Sequence, residues 1–595
     1  MRLQGIARKA LATGTAAPAP APGGRSGRHR RRRVRSLVAA LISLAAVAFA
    51  LTTAGTASAE PDTMEGPLTA LPASEYKQFR LNIDRASNYD AYGAAIRGVE
   101  KSGKVTTNGP LGVALSGQHA GRPLCHTTGL NGTFQYNGFC WDPGDDTSPD
   151  WTPQGLTASH DADPSGTYSG HHLYVATWHY KNDDAYARIS IVNSTGKEWT
   201  YGHVLLVEPT GDENNGNFKE LTKNHADGAV WYGNKLFVAN GNTLQVYDFQ
   251  HLWKMQTISE DVGIKDGVSS AAHHQWALPM VGKYTIDTSK DDPRACPAPH
   301  VTGRACLGSL SLDRSGSVDH LVSGEYYKRD HKAVAHLARW PLNPATDLPA
   351  ADNGDTIGST TASGGFKAPV RQLQGVATDG TYYYMAAECP EGYMGENRPW
   401  DSYSCIYQAK PGEVGTVLTR SPMYTQNLSY SPSSGRLWGQ NEVKGQRSVF
   451  SLKPRAADHS VYLRNSYSAL CAGGGGKTGN GAPVIQWGCN NARDERWVFE
   501  KTTDSNGKTA YFVRNEYSGK CMGAASHLND GSGMIQYTCN GAVDEKWWYD
   551  SGTKALRNVY SGKCLALGAT ATKGTQLIQY TCNGKPDESW EQIPR

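Results

Sequence analysis

Asp494-Glu495-Arg496-Trp497, Asp544-Glu545-Lys546-Trp547 and Asp587-Glu588-Ser589-Trp590 are one phrase written three times near the end of a 595-residue chain. Read backwards, each phrase closes a unit that opens on an Arg-Asn pair: Tyr462-Leu463-Arg464-Asn465, Phe512-Val513-Arg514-Asn515 and Ala555-Leu556-Arg557-Asn558. Between opening and close every unit carries a cysteine six residues after the Asn, a Gly/Ala-rich turn, an apolar Ile-Gln-aromatic strand and a second cysteine. One unit of about 45 residues cannot bury its own tryptophan, whereas three packed around a pseudo-threefold axis place Trp497, Trp547 and Trp590 in a shared core.

This segment, 456–595, resembles the ricin-B-type β-trefoil, also known as carbohydrate-binding module family 13. The resemblance implies a shallow sugar pocket in each repeat. Its parts are an Asp two residues after the first cysteine, a ring that stacks on the apolar sugar face, and an Asn just after the second cysteine. The ring and amide positions are kept as Trp487 with Asn490, Tyr537 with Asn540, and Tyr580 with Asn583, but the Asp positions hold Gly473, Gly523 and Ala566. Stacking supplies a hydrophobic face and hydrogen bonds supply orientation, so sugar binding is expected without any inherited galactose preference.

At the other end, six arginines between Arg28 and Arg35 precede an uncharged run from Leu37 that closes on Ala57-Ser58-Ala59. A basic region, an apolar region and an A-x-A site in that order read as a secretory signal peptide over 1–59, suited to the general or the twin-arginine route. From Thr52 the run is only Thr, Gly, Ser and Ala, which argues against a stable membrane anchor. Cleavage removes ten Lys and Arg and no acid, turning 59 basic against 55 acidic residues into 49 against 55, a net charge near −6. A mildly acidic chain with no basic run lacks the footprint of a nucleic-acid binder. The mature protein is expected to be secreted, extracellular and monomeric, with a polysaccharide or glycoconjugate as its partner.

Twelve cysteines in an exported chain invite bridges, and the spacings nominate them. Cys471/Cys489, Cys521/Cys539 and Cys564/Cys582 are each 18 apart, and Cys125/Cys140, Cys296/Cys306 and Cys389/Cys405 are 15, 10 and 16 apart. No C-x-x-C occurs to suggest a metal cluster.

Residues 60–110 read as a lead-in with helical character around Glu75 to Arg85 and no chemistry. From 111 to 454, short strands rich in Tyr, Val, Leu and Trp alternate with Gly, Asn, Asp and Ser turns, with no long helical stripe. The whole chain therefore reads as all-β. A repeated phrase, small residues then strand, tight turn and strand, starts at Gln154, His225, Gln374 and Asn427, with another opening near His273. Spacings near 50 residues or its multiples suit four-stranded blades, so a β-propeller of five to seven blades is predicted, with a jelly roll or other sandwich as the alternative. The phrases H-A-D-G-A-V-W-Y-G-N-K-L-F-V-A and Y-G-H-V-L-L-V resemble those of secreted actinobacterial propeller proteins.

Histidines are dense in this part: His171, His172, His179, His203, His225, His273 and His274. Imidazole serves as acid, base or ligand near neutral pH. The order His203, His225, Tyr284 and Arg304 (or Arg314) is similar to that of propeller lyases that cut uronic-acid-containing glycans. The similarity implies that the histidines neutralise or protonate, Tyr284 acts as base or acid, and the arginine holds the uronate carboxylate. A glycoside hydrolase would use facing carboxylates, for which Asp227, Asp379, Glu388 and Glu442 stand near blade openings. A non-catalytic lectin or adhesin is the third reading. No G-x-S-x-G, H-E-x-x-H or phosphate loop occurs, and no cofactor or metal is assigned from the sequence.

Overall fold

The computed structural model describes residues 63–594 with the exception of 127, 131–135, 182–184, 197, 287, 289–305, 328–333, 391–402, 455–459 and 491. The proposed signal peptide therefore lies outside the described residues. Nearly all regular structure is β.

Twenty strands organise the stretch before the trefoil. They are β1 (Asn137–Cys140), β2 (Trp151–Ala158), β3 (Leu173–Tyr180), β4 (Ala187–Asn193), β5 (Thr200–Thr210), β6 (Gly228–Tyr232), β7 (Lys235–Asn240), β8 (Thr243–Asp248), β9 (Trp276–Thr285) and β10 (Ser311–Asp313). They continue as β11 (His320–Gly324), β12 (Ala335–Asn343), β13 (Gly364–Ala368), β14 (Gly375–Thr378), β15 (Tyr383–Glu388), β16 (Ser404–Ala409), β17 (Val414–Ser421), β18 (Thr425–Ser431), β19 (Arg436–Asn441) and β20 (Ser448–Leu452). Among the described residues these form five antiparallel meanders in chain order: β2 to β5, β6 to β9, β10 to β13, β14 to β17, and β18 to β20 completed by β1, the first two being joined in one sheet by parallel pairing of β5 with β9. Of these twenty strands, β1 is the one placed out of chain order, pairing with β20 through Val449↔Phe139 and Phe450↔Gly138.

The first strands of the meanders touch in a cycle. A Cβ on Gly155 in β2 would stand 2.8 Å from the Ala229 amide of β6, so only glycine permits the approach. Gly228 of β6 faces Ser309 and Leu310 just before β10, and β10 packs on β14. Gly375 of β14 lies against Gln426 at the start of β18. Asn427 closes the cycle, donating to Leu156 O at 2.8 Å and accepting from Leu310 N at 2.9 Å. The phrases at Gln154, His225, Gln374 and Asn427 thus mark the first strands β2, β6, β14 and β18. His273 does not open a sheet: it sits in the turn before β9, the fourth strand of the second meander, and the third meander starts at β10.

The lead-in is woven into these sheets. Thr63–Pro67 pairs with β17, Thr69–Ala70 with β13, and Thr106–Asn108 with Leu252–Lys254. The helix expected over 75–85 is displaced, with one turn at Ala73–Tyr76 and an 11-residue helix at Ala91–Lys101. That longer helix buries Tyr92, Ala95, Ile96 and Val99, a 3.6-period stripe.

In the C-terminal segment each repeated tryptophan is fully buried, and each indole N–H donates at 2.9 Å to a carbonyl 25 residues upstream: Trp497 to Ala472, Trp547 to Met522, Trp590 to Leu565. The Asn of each Arg-Asn pair stitches one repeat to another. Asn465, Asn515 and Asn558 donate to the carbonyls of Asp587, Asp494 and Asp544 at 3.0, 2.7 and 2.8 Å. Five of the expected disulfides are formed: Cys125–Cys140, Cys389–Cys405, Cys471–Cys489, Cys521–Cys539 and Cys564–Cys582. Cys306 is also disulfide-bonded, and Cys296 lies outside the described residues.

Candidate functional site

Strand β4 reads Ala-Arg-Ile-Ser-Ile-Val-Asn, with Ile189 and Ile191 on one face and Arg188 and Ser190 on the other. Register carries that polar face across the sheet. Trp178 in β3 is opposite Arg188, and Ser190 is opposite His203 in β5, so Trp178, Arg188, Ser190 and His203 share one face. The turn Asp142-Pro143-Gly144-Asp145 lies against it, because the Asp142 side chain caps the short helix Pro143–Thr147 by accepting from Asp145 N at 2.8 Å.

Asp145 is the hub. Its Oδ1 accepts from Arg188 Nη2 at 2.6 Å, and its Oδ2 accepts from Tyr201 OH at 2.7 Å and meets His203 Nε2 at 3.0 Å. Trp178 Nε1 donates to Ser190 Oγ at 2.7 Å, and that hydroxyl lies 2.9 Å from His203 Nδ1. The network assigns the tautomer: Ser190 gives its proton to Nδ1, and the Nε2–H of a neutral His203 points at Asp145. Burial, with Arg188 adding to it, brings His203 down to about 4, against the pull of Asp145. Burial opposes ionisation of Asp145, but His203, Arg188 and the Tyr201 hydroxyl outweigh it and hold the carboxyl well below its ordinary range. Burial beside Arg188 and His203 brings His274 down to about 3.

His119 stands at the edge of this cluster, with Nδ1 2.5 Å from Asp142 Oδ2 and 3.7 Å from Asp145 Oδ2. Its ring stacks on Tyr201 at 4.9 Å and tilts against His203 at 4.5 Å. The Arg188 guanidinium lies 4.3 Å over Trp151, and its buried Nε has no hydrogen-bond partner. These groups open on a cavity of about 610 Å³ walled by Trp151, Tyr180, Tyr186, His119, Arg188 and His203. His273, His274 and Glu260 complete the lining, and aromatic walls with an arginine, four imidazoles and a carboxylate can hold a polar ligand such as a sugar.

Of the four residues singled out as catalytic candidates, the three described ones, His203, His225 and Tyr284, are not gathered. His225 stacks on His179 at 4.0 Å and bonds Asp227 Oδ1 at 2.7 Å. His179 is opposite Ala187, one residue out of step with Trp178 and Arg188, so its side chain and His225 lie on the other face of the sheet from His203. Tyr284 of β9 is buried in an apolar cluster with Leu244, and burial raises its phenol far above the ordinary value. Arg304 lies outside the described residues. Arg314 lines a second cavity of about 280 Å³ with His160, Asp161 and Asp379. Of the proposed carboxylates, Asp379 accepts from the amides of Thr381 and Tyr382, and Glu442 accepts from Gln154 at 2.6 Å.

His119, Asp142, Asp145 and Arg188 escaped the sequence reading. P-G-D-D-T looks like a turn, and His119 stands alone. The available signal was an Arg and a Ser on one face of an otherwise apolar strand.

In the trefoil, Tyr537 and Tyr580 are 44 % and 43 % exposed, Trp487 is half-buried, and all three Asn side chains are at the surface. The Oδ1 atoms of Asn490, Asn540 and Asn583 each accept from the amide two residues on, at 2.9–3.0 Å. A Cβ on Gly473 would stand 3.6 Å from Asp494 Oδ2, so the carboxylate of the closing phrase borders the place where the family's Asp is missing.

Solved structures similar to this chain include ThreeFoil, a designed 3-fold symmetric protein, 26 % identical over 23 % of this chain and 98 % of its own, with a TM-score of 0.21. The Rhizoctonia solani agglutinin is 17 % identical over 23 % of this chain and 94 % of its own, TM-score 0.20. An exo-beta-1,3-galactanase from Clostridium thermocellum is 15 % identical over 71 % of this chain and 94 % of its own, TM-score 0.26. No curated protein matches the chain. Residues 459–590 match the family model of the ricin-type beta-trefoil lectin domain, and this part of the chain is such a domain.

Proposed function

We propose that this is an exported glycan-acting protein: the lectin domain attaches it to polysaccharide, and the cavity beside His119, Arg188 and His203 acts as a lyase on a uronic-acid-containing chain. The observation that carries the reading is that one aromatic-walled cavity collects an arginine, four histidines and two tyrosines, with Glu260 as its carboxylate. In β-elimination the uronate carboxylate must be neutralised before its α-proton can leave. Arg188 and His119 are the groups for that task. Tyr180 or Tyr186 takes the proton from carbon as its own phenolic proton passes to the departing oxygen, the bond from carbon to that oxygen breaks, and the new C=C double bond forms.

We also propose that the five meanders are blades of one propeller over roughly 111–454, with β1 completing the fifth blade. The cyclic contacts of β2, β6, β10, β14 and β18 support this arrangement. Export is supported by the Ala57-Ser58-Ala59 site and the disulfides.

The test is to incubate the mature protein with plant and microbial polysaccharides while following absorbance near 235 nm and reducing ends. A rise in absorbance that Arg188→Met abolishes is expected. Reducing ends alone would replace the lyase with a hydrolase, and no product with retained binding would leave a lectin.

A further inference from the structure

We infer that His119, Asp142, Asp145 and His203 form a binding site for a divalent transition metal of the zinc class, set in the wall of the large cavity. The inference does not depend on the lyase reading, because the site would hold its ion with no polysaccharide present.

The donor atoms of His119, Asp145 and His203 all lie within 4.8 Å of one another. Their individual separations are 3.0 Å for His203 Nε2 to Asp145 Oδ2 and 3.7 Å for His119 Nδ1 to Asp145 Oδ2. Asp142 Oδ2 is a further 2.5 Å from His119 Nδ1. Ligand bonds near 2.0–2.1 Å in a tetrahedral site need donors roughly 3.3 Å apart, so small shifts suffice. Two imidazoles and two carboxylates favour zinc, cobalt or nickel over the all-oxygen cages of calcium.

The surroundings have the form of an outer shell that orients ligands. Ser190 Oγ sits on His203 Nδ1, Arg188 holds the far oxygen of Asp145, and Tyr201 OH bonds its near one. On metal binding the His203 ring proton moves from Nε2 to Nδ1, where Ser190 Oγ accepts it, and the freed Nε2 lone pair takes the ion. Arg188 offsets part of the charge of the two carboxylates, and the net charge of −1 that remains favours a cation. His119 and His203 both line the cavity, so a further coordination position would face incoming ligand.

The test uses the full chain, stripped with a chelator and titrated with cobalt(II) and zinc(II). Metal content and the cobalt visible spectrum provide the readout. One equivalent is expected, with His119→Ala and His203→Ala each weakening it at least 100-fold. Ser190→Ala, which touches no ion, is expected to weaken it about 10-fold while keeping the wild-type circular dichroism. Binding below a tenth of an equivalent, or one equivalent unaffected by His119→Ala and Ser190→Ala, would overturn the assignment. His119 is partly exposed and Ser190 small, so these two variants decide the matter even where His203→Ala fails to fold.

Discussion

Asp145→Asn should cost about 3–5 kcal/mol of stability, the range for removing one partner of a buried ion pair. The side chains of Asp145 and Arg188 are each 8 % exposed, so water cannot take over the lost charge. The substitution keeps the shape and leaves the guanidinium uncompensated. It also turns an acceptor of three contacts, from Arg188, Tyr201 and His203, into a group with one acceptor oxygen. Pairing it with Arg188→Met removes the stranded charge, so the double variant should be no less stable than Asp145→Asn alone, a coupling of about 2 kcal/mol or more. Urea unfolding followed by near-UV circular dichroism and by tryptophan fluorescence measures both, and agreement of the two probes licenses the free energies. A single-variant loss under about 1 kcal/mol, or a double variant worse than the sum of its parts, would refute the claim that Asp145 and Arg188 form a buried, mutually compensating pair.

Replacing Trp497, Trp547 or Trp590 by Phe should cost about 2–4 kcal/mol: about 1–3 for the carbonyl left unpaired, and about 1 for a void of roughly 40 Å³. The three values should agree closely in calorimetry, since the three environments repeat. Tyr537→Ala and Tyr580→Ala should each weaken retention on insoluble polysaccharide about fivefold, near 1 kcal/mol, leaving the proposed turnover of short soluble substrates unchanged. His251 is raised above its ordinary value by its hydrogen bond to Glu100, which outweighs burial. Its stabilising contribution is therefore complete below about pH 6.5 and fades as pH rises through the raised value; His251→Asn should flatten that decline in thermal melts recorded from about pH 6 to 9.

The trefoil was legible because each of its positions is written three times: the D-E-x-W and Arg-Asn pairs mark the same stitches that Asn465, Asn515 and Asn558 make between repeats. The sheets before it were legible at four of five openings. The third was hidden because β10 is three residues long and carries no phrase like those at His225 and Gln374. The site was legible only as single residues. His203 stands out inside Y-G-H-V-L-L-V, but its neighbours come from β4 through register and from a turn about 60 residues upstream, and sequence spacing contains neither. Chain order sets His225 only 22 residues after it, but alternation of side chains puts the two rings on opposite faces of one sheet.

The pairing of β1 with β20 sets a timetable for folding. Val449 meets Phe139 across about 310 residues of chain, and a loop that long closes slowly while its entropic cost grows only with the logarithm of its length. During synthesis β1 emerges early and waits, its edge unfilled, until Ser448–Leu452 arrives. The last of these sheets cannot be completed before 452 of the 595 residues have been made. The same order exposes it: a cut between β1 and β2 would leave the four other meanders whole and convert closure of the fifth from an intramolecular step into a bimolecular one.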